Sequence, residues 1–306
     1  MNDILVIGSS NMDLIMKMEH LPKTGESIAD CTFSQAFGGK GANQAVGAAR
    51  AGGKVTFISC IGTDAYGKMM LENFGRDNIN TEFVFQTEDH PTGTALIMVG
   101  SKGENYISVA PGANYQLSPA MIDRCKAEIK KASIVVLQYE ITEETTDHII
   151  SLCNSMNIPV IFNLAPAKKI SEKSLKNLKF LVVNETEAQF LTGMEEVNLS
   201  NAEEASASLL ALGPENVIIT LGENGSYIAS FREYFHSPSF KVKAVDSTAA
   251  GDTYCGALAT ALSMGKSLKE AVPFASAAAA LAVTRLGAQQ STPYKEEIEE
   301  FLKKNN

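Results

Sequence analysis

Val245-Asp-Ser-Thr-Ala-Ala-Gly-Asp-Thr-Tyr-Cys-Gly-Ala257 carries three small residues, Ala249, Ala250 and Gly251, directly into a nearly uncharged, Ala-rich helical stretch. Backbone N–H groups at a helix N-terminus point at whatever lies there, and the helix dipole favours negative charge. Small side chains let a phosphate come close. Asp252 stands at the same helix start, where a carboxylate can take the proton from an attacking hydroxyl. Asp is equally a common N-cap, and composition alone does not separate the two roles. A second Ala-rich stretch follows, through Thr284, and small side chains on all sides imply helices packed closely inside the core.

Outward from this point the chain alternates short apolar runs with helical ones. Strands are expected at Ile4–Ile7, Val55–Cys60, Ile134–Leu137, Val160–Phe162, Phe180–Val183 and Val217–Thr220. Helices are expected at Asn43–Ala51, Lys68–Arg76, Pro119–Lys130, Glu143–Asn157, Glu185–Thr192 and Ala202–Leu212. This order predicts an α/β fold, a Rossmann-like and mostly parallel sheet flanked by helices. Two regions break the alternation, at about 13–37 and 92–110. In the second, Thr94–Val99 and Asn105–Ala110 flank Gly-Ser-Lys-Gly, a hairpin signal. Short strands inserted here predict a small β-sheet lid on a single domain spanning 1–306. An exposed small sheet needs cover, from substrate closure or a second subunit.

The 306 residues suffice for one large α/β domain, and 45% hydrophobic with 20% charged content is ordinary for a globular chain. A net charge of −9 argues against a nucleic-acid or membrane-surface partner. Five widely spaced cysteines without a C-x-x-C pair read as reduced thiols of a cytoplasmic protein. No basic-then-apolar leader opens the chain, and Ala271–Val283 is too short to span a bilayer.

Several further segments can carry chemistry. Gly39-Lys-Gly-Ala-Asn43 puts Lys40 and Asn43 donors beside a tight glycine backbone, although Asn43 can equally cap the loop. After an apolar strand, Asn184 can orient a phosphate and Glu187 can hold magnesium through water, or the two can form a capping box. Thr220-Leu-Gly-Glu-Asn-Gly225 can line a nucleotide or simply turn into another strand. Asn11, Asp13, Glu140, Asn184 and Thr220 all follow expected strands, the edge where open parallel sheets bind ligands. Gly62-Thr-Asp-Ala-Tyr-Gly-Lys-Met69 approaches a P-loop, but Met69 stands where a hydroxyl should meet magnesium. The chain has no full GxGxxG, which leaves a nicotinamide dehydrogenase weakly supported.

Taken together, Phe37-Gly-Gly-Lys-Gly-Ala-Asn-Gln-Ala45, Val245-Asp-Ser-Thr-Ala-Ala-Gly-Asp-Thr253, Asn184-Glu-Thr-Glu187 and Thr284-Arg-Leu-Gly-Ala-Gln289 resemble the PfkB carbohydrate kinase family, in order and over essentially the whole chain. The resemblance implies a homodimer through the lid and transfer of the ATP γ-phosphate to the O5 hydroxyl of D-ribose. It implies Asp252 as general base and Ala249, Ala250, Gly251 and Asp252 as an anion hole. Asn11, Asp13, Gly39, Lys40, Asn43, Glu140 and Asp252 correspond to sugar-binding positions. Asn184, Thr220, Gly222, Glu223, Asn224 and Gly225 correspond to nucleotide-binding ones. The same resemblance implies Mg2+ held through water by Glu187, and K+ held by Asp246, Thr248, Ala282, Arg285, Gly287 and Ser291. Ser276 departs from the pattern, standing where several relatives carry His near the adenine. Ala249 is a second departure, replacing a frequent glycine, with a loop shape kept if φ stays negative. The Asn11, Asp13 and Glu140 set suits a small polyhydroxylated sugar better than a nucleoside. A kinase of deoxyribose, a ketose or a nucleoside, and a sugar sensor without catalysis, are the alternatives.

Overall fold

Nine strands of the computed structural model, which describes residues 3–176 and 178–305, join one sheet, and four more form a second. In chain order they are β1 (Asp3–Ile7), β2 (Asn11–Lys17), β3 (Thr32–Gly38), β4 (Lys54–Gly62), β5 (Val84–Thr87), β6 (Gly93–Val99), β7 (Asn105–Ala110), β8 (Ile134–Leu137), β9 (Val160–Asn163), β10 (Phe180–Asn184), β11 (Asn216–Thr220), β12 (Ser226–Ser230) and β13 (Tyr234–Ser237). The helices are α1 (Lys40–Arg50), α2 (Ala65–Arg76), α3 (Pro119–Arg124), α4 (Lys126–Ile129), α5 (Glu143–Ser155), α6 (Glu172–Leu175), α7 (Glu185–Thr192), α8 (Ala202–Ala211), α9 (Ala250–Ser263), α10 (Leu268–Ala282) and α11 (Lys295–Asn305).

The large sheet runs β13-β12-β11-β10-β9-β8-β1-β4-β5. Pairing is parallel from β11 through β5, and β12 and β13 add an antiparallel edge. Alternation along β1 shows why helices cover both faces. Ile4 and Val6 enter the cluster with α1, α9 and α10, while Leu5 and Ile7 enter the one with α5 and α8. Both sets are fully buried, as a parallel strand requires.

The first cluster contains the closest helix packing. A Cβ on Gly256 of α9 would stand 2.5 Å from the Ala48 nitrogen of α1, so glycine alone permits this approach. Thr260 Oγ1 locks the pair by donating to the Ala48 carbonyl at 2.9 Å. The contact sets the N-terminal half of α1 beside the N-terminal half of α9. One expected helix does not survive: the stretch beginning at Pro119 breaks between α3 and α4 at Cys125, whose φ of −95 and ψ of 4 leave the helical basin. Cys125 N–H turns back to the Ile122 carbonyl at 2.9 Å, tightening the last turn of α3.

The small sheet has the order β3-β2-β6-β7, and β6 with β7 forms the antiparallel hairpin the sequence signals. Phe33, Met16, Met98 and Tyr106 lie directly across from one another, an apolar row over all four strands. Phe33 is 54% and Tyr106 57% exposed. Among the described residues no helix is long and apolar enough to cross a membrane.

Candidate active site

Asp252 is the third residue of α9 and only 5% exposed. The N-cap is Ala249, which makes no side-chain bond, so the Asp252 carboxylate does not close its own helix. Its Oδ2 accepts from Asn43 Nδ2 at 3.0 Å and its Oδ1 from Gln44 Nε2 at 2.9 Å. Ala250 N–H bonds the Ser247 carbonyl at 3.2 Å, whereas the N–H groups of Gly251 and Asp252 find no acceptor among the described residues. Two open donors thus flank a fixed carboxylate. Ala249 itself has φ 58, which corrects the expectation of a negative φ. The left-handed turn aims the first N–H groups, at a cost of about 1–2 kcal/mol for a residue with a Cβ.

The residues expected to bind the sugar converge on the start of α1. Glu140 Oε2 accepts from Lys40 N–H at 2.9 Å and from Ser9 Oγ at 2.5 Å. Gly39, the N-cap of α1, sits at φ 86, and a Cβ there would stand 2.7 Å from the Asn11 nitrogen. Asn11 is oriented by Asn114, whose Nδ2 donates to Asn11 Oδ1 at 2.7 Å while its Oδ1 accepts from Ser10 N–H at 2.8 Å. Asp13, on β2, is pushed up to about 7 by burial, then by the charges of Glu140 and Asp252. The Lys40 ammonium is held above its usual range by the Asp252 charge, against the effect of burial, with Glu140 and Glu187 adding to it. Asn11, Asn43 and Asp252, buried, and Asp13, Lys40 and Glu140, half-buried, therefore belong to one polar constellation.

On the opposite side Asn184 and Glu187 form a capping box at the start of α7. Asn184 N–H donates to Glu187 Oε2 at 2.9 Å and Asn184 Oδ1 accepts from Glu187 N–H at 2.8 Å. Glu187 is buried and its carboxyl lies above the usual range, chiefly through that burial. The Thr220–Gly225 stretch forms a short 3-10 turn, Gly222–Asn224, that leads into β12, and Thr220 Oγ1 donates to the Val183 carbonyl at 3.3 Å. Glu223 and Asn224 offer their carbonyls to Ser239 Oγ and His236 Nε2. Ser276 lies half-buried on α10 and makes no hydrogen bond to these groups.

The remaining expected residues form a loop structure of their own. Asp246 Oδ1 accepts from Thr248 N–H at 2.9 Å and Thr248 Oγ1 at 2.6 Å, and its Oδ2 accepts from Gly287 N–H at 2.9 Å. Burial opposes ionisation of Asp246, but the Thr248 hydroxyl and the two N–H groups outweigh it and hold the carboxyl low. Ala282 and Ser291 are buried, and Arg285 pairs with Glu297. The near-P-loop segment is a capped turn: Asp64 accepts from Gly67 N–H at 2.9 Å and from Thr92 N–H at 2.8 Å, tying the start of β6 to the end of β4.

Sequence reasoning passed over Ser9, Gln44, Asn73, Asn114, Gln138, Asn163 and Gln289. Gln138 and Asn163 fall at the carboxyl ends of β8 and β9, the edge already marked, so that signal was available. Gln289 donates to Asn43 Oδ1 at 3.2 Å and accepts from Asn73 Nδ2 at 2.8 Å, partners remote in sequence that only packing reveals.

Comparison with known proteins bears on this geometry. A model of the pfkB family carbohydrate kinases matches residues 1–295. The ribokinase of Bacillus subtilis is 39% identical over 303 residues, covering 99% of this chain and 100% of that protein. The solved ribokinase of Thermotoga maritima is 42% identical with a TM-score of 0.91, over 99% of this chain and 100% of that one. The structure of Arabidopsis thaliana ribokinase complexed with ribose and ATP is 34% identical with a TM-score of 0.93, over 99% of both chains.

Proposed function

The chain belongs to the pfkB family of carbohydrate kinases, and from that footing we propose that it transfers the γ-phosphoryl group of ATP to the O5 hydroxyl of D-ribose. It is an ATP-dependent carbohydrate kinase. The observation that carries the assignment is the fixed Asp252 carboxylate beside the two open N–H groups of α9, facing Asn11, Asp13, Lys40 and Glu140. Phosphoryl transfer asks mainly for positioning and charge stabilisation, with one group to accept the hydroxyl proton. Asp252 accepts that proton. The hydroxyl oxygen bonds to the γ-phosphorus as the bond to the β-phosphate oxygen breaks. The Gly251 and Asp252 N–H groups, with Ala249 and Ala250 shaping the turn, receive the moving anionic oxygens. Asn11, Asp13, Gly39, Lys40, Asn43 and Glu140 hold the sugar hydroxyls. Asn184, Ser276 and the turn from Thr220 through Gly222, Glu223, Asn224 to Gly225 line the nucleotide.

Magnesium fits Glu187, whose Oε1 accepts no hydrogen bond among the described residues and whose hard oxygen suits that ion through water. The ion neutralises phosphate charge when bound. A potassium ion would be held at the loop pair that Asp246 joins, with the carboxylate and the oxygens of Thr248, Ala282, Arg285, Gly287 and Ser291 as its donors. When bound, it would add positive charge to the loop that leads into α9. The small sheet acts as a lid over the sugar, and its apolar row of Phe33, Met16, Met98 and Tyr106 is covered by a second copy in a homodimer. Five free cysteines, four of them buried, accord with a cytoplasmic setting.

The test is ADP release with Mg-ATP, potassium and, in turn, D-ribose, 2-deoxyribose, D-fructose and adenosine, beside Asp252→Asn. Ribose is expected to give the fastest turnover. The variant is expected to lose roughly 10²–10⁴-fold in rate, the worth of a positioned base, while binding both substrates. A variant rate within threefold of the parent removes Asp252 from that role.

A further inference from the structure

The chain of buried amides behind Asp252 has a direction fixed by one backbone carbonyl. Asn163 Nδ2 donates to the Val182 carbonyl at 3.2 Å, which turns Asn163 Oδ1 toward Gln44. Gln44 meets that oxygen with its Nε2 at 3.1 Å, and the same Nε2 donates to Asp252 Oδ1 at 2.9 Å. Gln44 Oε1 then accepts from Gln138 Nε2 at 2.6 Å. Gln138 Oε1 is left buried with no partner among the described residues. Gln44 and Gln138 are both wholly buried. A polar cluster that served only packing would end on a satisfied group, because an orphaned buried acceptor is unfavourable. Here the orphan lies at the far end of the series that reaches Asp252, from Gln138 Nε2 to Gln44 Oε1 and from Gln44 Nε2 to Asp252 Oδ1, while Asn163 donates away to Val182.

The two carboxylate oxygens are consequently unequal. Oδ2 faces Asn43, whose amide is shared with Gln289 and stands on the sugar side. Oδ1 faces Gln44, locked from behind by Gln138 and Asn163. We propose that Gln44 is a positioning residue that anchors Oδ1 of Asp252, leaving Oδ2 as the oxygen that takes the sugar hydroxyl proton. The idea rests on Asp252 being the base. Gln44 touches neither substrate in this scheme: it fixes the plane of the carboxylate so that Oδ2 meets the hydroxyl as Asn43 turns to the sugar. A hydrogen bond to an ionised group is among the stronger kinds, and loss of the anchor permits rotation about the carboxylate.

The experiment measures kcat and the KM for ribose in Gln44→Met, Asp252→Asn and the double variant. Methionine keeps the length and bulk of glutamine and removes the donor. In the parent background kcat is expected to fall roughly 10–100-fold, with the ribose KM within about threefold. In the Asp252→Asn background the same substitution is expected to change the residual rate by less than about twofold, because the group it acts through is gone. Gln138→Met removes the orphaned acceptor but also the Nε2 donor to Gln44 Oε1, leaving that oxygen bare in its place, so its melting temperature is expected to fall modestly while kcat drops by about threefold as Gln44 loosens. Should Gln44→Met fail to fold, Gln138→Met and its double with Asp252→Asn decide by the same criterion. Additive losses, an unchanged kcat, or a loss confined to KM each overturn the proposal. Those results, with Asp252→Asn inactive, leave the base assignment standing; an active Asp252→Asn defeats both.

Discussion

Replacing Asp13 by Asn is expected to stabilise the ligand-free protein while weakening its hold on the sugar. Asp13 ionises at about 7 in the folded chain against an ordinary 3.8, through burial first and then the charges of Glu140 and Asp252. Between those values the folded state keeps a proton that the unfolded chain has lost. Stability from this group therefore declines as pH rises from about 4 to about 7 and stays reduced above that window. A shift of about three units corresponds to at most ~4 kcal/mol. Relaxation around the carboxylates lowers the usable figure to about 2–4 kcal/mol at pH 8, and to ~1 kcal/mol at pH 5 where most of the decline still lies ahead. Asn has the same shape and does not titrate. Thermal unfolding of the ligand-free protein at the two pH values reads the difference directly: at pH 8 the variant should melt roughly 3–6 °C higher, with a much smaller gain at pH 5. Ribose affinity should fall by about 10–100-fold for loss of a charged acceptor. Parallel pH dependences in the two proteins, or a variant less stable at pH 8, refute the reasoning.

Ala249→Gly removes the Cβ from a residue at φ 58 and is expected to raise stability by about 1 kcal/mol in urea unfolding, the gain reduced by the extra freedom of glycine in the unfolded chain; no gain would mean the left-handed turn carries no strain. Gly256→Ala places a methyl 2.5 Å from the Ala48 nitrogen and is expected to cost about 1–3 kcal/mol, lowering both the melting temperature and kcat as α1 moves away from Asp252. Exchange of potassium for a large organic cation at constant ionic strength is expected to slow turnover by about tenfold, near 1.4 kcal/mol of transition-state stabilisation; equal rates would end the cation reading of Asp246.

What could be read in advance follows from how local each signal is. Buried parallel strands such as β1, β4, β8 and β11 are continuous apolar runs, so the core of the large sheet was legible in one dimension. Edge strands are not. β5 and β13 bury one residue each, since one flank meets solvent, and their sequences look like loop. α11 escaped notice for a related reason: a Glu- and Lys-rich helix buries only Ile298 completely, with Phe301 and Leu302 packed behind it. Glu140 announced itself by following a strand, and Asp252, Asn43 and Lys40 by their small-residue and glycine-rich segments. Their geometry did not, because it depends on a backbone approach between α1 and α9 that a single glycine permits.

That approach also explains why the unforeseen residues behind Asp252 are amides. Asn43 and Gln44 are adjacent on α1, yet both reach the same carboxylate, one to each oxygen. Adjacent helical residues diverge by about 100°, so both can meet Asp252 only where α9 lies across the helix at contact distance. Once α9 is that close, water is excluded and a carboxylate needs protein donors for each oxygen. A lysine at either position would neutralise the base by pairing with it, and an apolar side chain would leave an oxygen bare. A neutral donor with its own acceptor satisfies the carboxylate without discharging it, then passes the same demand outward to Gln138, Asn163 and Gln289. The buried amide network is thus a consequence of placing an ionised base inside a glycine-tight helix contact, and its outer members are set by where that demand can end.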